Sequence, residues 1–97
     1  MSDQREAAQA VVRALRRTVE RLNNGEVEGL ESWRGDFKDI DGLARVVFEN
    51  RADGRRLVLR QEGDSFSVNF FVGATCDWND NGTTPAQVVD IIQRTLN

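Results

Sequence analysis

Apolar residues recur at Ala8, Val11, Val12, Leu15, Val19 and Leu22 with the three-and-four spacing of one helical face. Polar and charged residues fill the positions between them. The spacing predicts a helix over about residues 4–22. Asp3 stands where an N-cap would, with Glu6 three residues on as in a capping box. Asn23-Asn24-Gly25 supplies a left-handed stop. Near the other end, Thr84-Pro85-Ala86-Gln87 combines a capping hydroxyl, a proline at the first helical position and a glutamine three residues after the cap. Val88, Val89, Ile91, Ile92 and Leu96 then give a second helix a broad apolar face.

Between the helices the period changes. Leu43–Asn50, Arg56–Glu62 and Ser65–Val72 read as strands. The last alternates cleanly, with Phe66, Val68 and Phe70 on one face and Ser65, Ser67 and Asn69 on the other, so one face of the sheet is expected to be buried and the other wet. Arg51-Ala52-Asp53-Gly54 and Gly63-Asp64 are the turns between them.

Residues 26–42 follow neither period well. Val27, Leu30, Trp33, Phe37 and Ile40 recur every three or four positions, but Gly29, Gly35 and Gly42 interrupt them. An irregular acidic segment is expected there, with a short strand around Leu30–Arg34 as its most regular part. Residues 77–82 read as a polar loop leading into the last helix. The expected fold is therefore one two-layer α+β domain over residues 1–97, in the order helix, irregular segment, three-stranded antiparallel meander, helix. Both helices cover the same face of the sheet.

Composition narrows the chemistry. The 97 residues include no histidine, no tyrosine and one cysteine, Cys76. The commonest general base and metal ligand is thus absent, and a nucleophile has no imidazole beside it. This reading favours a binding domain over an enzyme and implies no cofactor. Cys76 has no basic neighbour in sequence to lower its pKa, and a buried structural thiol is expected. No apolar run approaches the ~20 residues of a membrane helix, and Met1–Glu6 lacks a signal-peptide pattern, so the cytoplasm is expected. Arginine outnumbers lysine twelve to one, as the coding bias of a GC-rich bacterial or phage genome would impose.

The net charge of −3 conceals an uneven distribution. Residues 4–22 hold five arginines against two glutamates, a net +3, and Arg13, Arg17 and Arg21 form one helical stripe. A solvated face is the default reading of that stripe. Residues 26–41 hold six carboxylates against Arg34 and Lys38, a net −4. An acidic whole argues against direct nucleic-acid binding. Glu28, Glu31, Asp36, Asp39 and Asp41 instead make a candidate surface for a protein partner with a basic face.

Trp78 and Asp80 extend that candidate interface, because tryptophan concentrates at interface hot spots. Trp33 fits the apolar series of its own segment and is expected in the core. Asp77-Trp78-Asn79-Asp80-Asn81-Gly82 resembles the first half of an EF-hand calcium loop, which implies Asp77, Asn79 and Asn81 as weak candidate ligands. The resemblance stops after six residues: Val88 stands where the bidentate glutamate belongs, and Pro85 falls inside the loop.

The functional expectation is a small non-enzymatic protein-binding domain, of the kind found in inhibitors, immunity proteins and anti-defence antagonists, acting through its acidic surface. The alternatives are a homodimer or structural subunit joined through sheet edges, and a calcium- or ligand-dependent module built on the 77–82 segment.

Overall fold

The computed structural model describes residues 2–40, 43–63, 65–82 and 84–96. Helix α1 spans Ser2–Asn23 and helix α2 spans Pro85–Leu96. Ala8, Val11, Leu15, Val19 and Leu22 are buried, as their spacing requires. α1 begins one residue before Asp3, so Asp3 lies inside the helix rather than at its cap; its side chain is outside the described residues.

The end of α1 is a Schellman motif. Gly25 has φ 70°, its N–H donates to the Leu22 carbonyl at 3.1 Å, and the Glu26 N–H reaches the Arg21 carbonyl at 2.9 Å. α2 starts with the expected reciprocal cap. The Gln87 N–H donates to Thr84 Oγ1, and the Thr84 N–H donates to Gln87 Oε1, each at 3.3 Å.

The sheet has five strands: β1 Trp33–Ile40, β2 Leu43–Asn50, β3 Arg56–Glu62, β4 Ser65–Val72 and β5 Thr75–Gly82. They pair antiparallel in chain order, β1-β2-β3-β4-β5. The three central strands have the expected limits. The two edge strands correct the expected three-stranded meander, and each correction has a packing cause.

β1 replaces about half of the expected irregular segment and begins three residues later than the short strand expected at Leu30–Arg34. Its inward positions include Trp33, Gly35 and Phe37, which stand opposite Asn50, Phe48 and Val46. A Cβ on Gly35 would lie 3.0 Å from the Phe48 ring and 3.1 Å from Val19 Cγ2. The space that an apolar side chain would mark in the sequence is already filled by its neighbours, so the period-two signal has a hole in it.

β5 replaces the expected 77–82 loop. Asp and Asn are poor strand formers, and Trp78 is its sole large apolar residue. Gly82 takes an inward position where a Cβ would meet Val88 Cγ1 at 2.7 Å. The strand is held by its ladder to β4 and by the pressure of α2, not by apolar alternation. A bulge lies between Phe70 and Phe71, where Phe70 pairs with Trp78 but Phe71 pairs with Cys76.

The register assigns two faces, because directly opposed residues share one. The inward face presents Val46 and Phe48, Leu57 and Leu59, and Phe66 and Val68, all buried. α1 packs over β1 and β2, α2 packs over β4 and β5, and the helices touch each other. The two-layer α+β architecture follows, with the other sheet face open.

Candidate functional site

Both helices end at the same end of the sheet. The Asn23 side chain of α1 bonds Gly35 of β1, and Thr95 and Leu96 of α2 reach the row containing Phe70 and Trp78. The 25–32 connection crosses this end. Together they enclose an open cleft of about 380 Å³, lined by Leu30, Trp33, Phe70, Trp78 and Leu96, with Glu31, Ser32, Asn50, Arg55 and Thr95 supplying its polar atoms.

One aromatic pair and one cation–π contact shape it. The Trp78 indole stacks on the Phe70 ring at 5.7 Å between centroids and 2° between planes. Antiparallel pairing sets this contact, since Phe70 and Trp78 are directly opposed. On the other wall, the Arg55 guanidinium lies 5.6 Å from the centroid of Trp33.

The rim is held by local hydrogen bonds. Asp53 accepts from the Arg55 N–H at 3.0 Å and from Arg55 Nε at 2.7 Å. The Arg55 backbone N–H contributes most to holding the Asp53 carboxyl below its ordinary value of 3.8; desolvation opposes it, and the guanidinium bond and charge add to the lowering. Asn50 Oδ1 accepts from the Ala52 N–H at 2.9 Å, and the Arg51 N–H ties the turn to the Ser32 carbonyl at 2.8 Å. Glu31 accepts from the Gly29 N–H with both carboxylate oxygens, at 3.1 and 2.8 Å. The Thr95 hydroxyl donates to the Ile91 carbonyl at 2.8 Å. These hydrogen bonds hold the rim in place, and the cleft offers aromatic surface, a lining more polar than apolar, and one charge of each sign.

The fold separates the acidic residues taken together from sequence. Glu28 and Glu31 lie in the connection before β1, Asp36 lies on the open face, and Asp39 lies near the far end of the strand. An eight-residue strand spans roughly 25 Å, so the backbone positions at its two ends stand far apart. Asp36 also pairs with Lys38 at 3.2 Å. The Asp39 side chain and the whole of Asp41 lie outside the described residues.

Of the expected interface, Glu31 and Trp78 meet at the cleft. Asp80 is exposed on β5, on the same face as Trp78 and two positions along. Trp33 is buried, as expected, at 6% exposure. Cys76 is not the buried thiol expected: it is exposed at the edge of the sheet, with Sγ 3.5 Å from the Trp78 carbonyl.

The EF-hand likeness does not extend to geometry. Asp77, Asn79 and Asn81 lie along an extended strand, so successive candidates are about 7 Å apart rather than converging within ~2.5 Å of one point. Sequence reasoning missed Phe70, Leu30, Arg55 and Thr95 as cleft residues. Recognising β5 as a strand was the necessary signal, because it alone places Trp78 against Phe70. No known protein family, curated protein or solved structure matches the chain.

Proposed function

We propose that this protein is a small non-enzymatic protein-binding domain that holds its partner at the aromatic cleft. The reading is carried by one observation: the half-buried Trp78 stacks on Phe70 in an open cleft that also brings in Trp33, Glu31 and Arg55. An aromatic anchor beside fixed charges of both signs is what the centre of a protein interface needs. Inhibitors and immunity-type antagonists act through such surfaces, and within the interface expected from sequence this reading puts the weight on Glu31 and Trp78, which both line the cleft.

The absence of tyrosine makes the reading easy to test, because the two tryptophans carry the near-ultraviolet emission and both line the cleft. A partner is captured from the native cell with wild-type protein and with Trp78→Ser. The purified partner is then titrated against wild type while tryptophan emission is followed. A stoichiometric partner that shifts the emission, and that binds Trp78→Ser at least about tenfold more weakly, is the expected result. A partner that leaves the emission unchanged and tolerates Trp78→Ser places the interface elsewhere.

A further inference from the structure

The face of the sheet turned away from the helices collects charges that are scattered in sequence. Lys38, Arg45, Arg60 and Ser67 form one row across β1 to β4, each directly opposite the next. Arg56 stands four residues along β3 from Arg60 on the same face, with its guanidinium 4.9 Å from the centroid of the Phe71 ring. Like charges directly opposed on a sheet are destabilising, so a row of three cations needs a reason.

Partners inside the protein do not supply it. Lys38 pairs with Asp36. Among the described residues, neither Arg45 nor Arg60 has a carboxylate partner. Arg45 Nε is buried without a hydrogen-bond partner, a condition uncommon for a guanidinium N–H, while the side chain as a whole is half-buried and reaches the open face. The same face also holds Glu49 and Glu62, so its positive charge is concentrated at this row rather than spread evenly.

The other half of the face has a different chemistry. Ser67, Asn69, Asn79 and Asn81 present hydroxyl and amide groups across β4 and β5. Phe71 adds a partly exposed ring backed by a guanidinium. Five strands make this face about 19 Å wide.

We propose that the open sheet face binds single-stranded nucleic acid, with phosphates on the Lys38–Arg45–Arg60 row and bases over Phe71 and the neighbouring amides. Cations beside a ring and hydrogen-bonding side chains are the recurring parts of such platforms. The net charge of −3 belongs to the whole chain and not to this face. A phosphate on the sheet responds chiefly to charges within a screening length of about 8–10 Å. The proposal is independent of the cleft, which opens on the other face.

The test is anisotropy of a labelled oligo-dT of roughly 12 nucleotides across a salt series, with wild type, R45Q/R60Q and Phe71→Leu. Wild type binds at low salt. R45Q/R60Q weakens binding at least about tenfold and flattens the salt slope by about 1.4, the share of two phosphates. Its melting midpoint is unchanged or raised, because repulsion is removed, and this separates lost binding from lost folding. Phe71→Leu weakens binding roughly fivefold or more with the slope unchanged. Absence of oligo-dT binding at low salt overturns the proposal. So does polyglutamate binding as tightly as oligo-dT with Phe71→Leu neutral, which would assign the face to an acidic protein segment.

Discussion

Asp53 shows how one side chain fixes part of a binding surface. It accepts from the backbone and side chain of Arg55, and Arg55 in turn covers Trp33. The carboxyl is held below its ordinary pKa, so its contribution to stability is present above the unfolded value near 4 and is lost as pH falls through the lower folded value. Asp53→Asn is therefore expected to lower stability at pH 7, with the difference from wild type shrinking as pH is taken well below 4. Chemical denaturation of both proteins across that range checks it. A difference independent of pH would show that the amide fails for a reason other than charge.

At the scale of elements, the edges of the sheet decide whether chains pair with one another. β1 is an edge, yet the edge-facing hydrogen-bonding groups of Gly35, near its start, are occupied. Asn23 Nδ2 donates to the Gly35 carbonyl and the Gly35 N–H donates to Asn23 Oδ1, both at 2.9 Å. The amide imitates one residue of a sixth strand and blocks a real one. β5 is protected differently, by its bulge and by the exposed Asp77 and Asp80. These features weigh against assembly through the sheet edges. Asn23→Ala removes both bonds and is expected to cost about 1–2 kcal/mol while exposing the edge. Denaturation reads the first effect. Sedimentation reads the second, with wild type monomeric at micromolar concentration and the variant showing self-association. An unchanged midpoint and sedimentation profile would mean the amide guards nothing.

For the molecule as a whole, the helix layer sits so close to the sheet that glycine is needed beneath it at Gly35 and Gly82. Gly82→Ala puts a methyl group 2.7 Å from Val88 Cγ1 and is expected to destabilise by about 1–3 kcal/mol. Combining it with Val88→Ala should recover part of that loss, a coupling that a double-mutant cycle measures. Additive losses would place the strain somewhere other than this contact. The same two layers give the molecule its two candidate surfaces. The cleft lies at the end of the helix–sheet interface, whereas the cationic row lies on the opposite face, so each reading stands or falls separately.

The sequence by itself determined the parts whose signals are local. Both helices, the stop of α1, the cap of α2, the three central strands and the burial of Trp33 follow from side-chain period and capping chemistry, which neighbouring residues carry between them. It left β1 and β5 unread because their inward positions hold Gly35 and Gly82, where packing from Phe48, Val19 and Val88 has removed the apolar marks of a strand. The candidate sites were beyond its reach for a related reason. Trp33 and Trp78 share a cleft across 45 positions of chain, and Lys38, Arg45 and Arg60 share a row only through the register of three strands. Counting charge along the chain grouped carboxylates that an extended strand then pulled apart. Proximity across a sheet is set by pairing and by which face each residue takes, and those were decided by the tertiary structure alone.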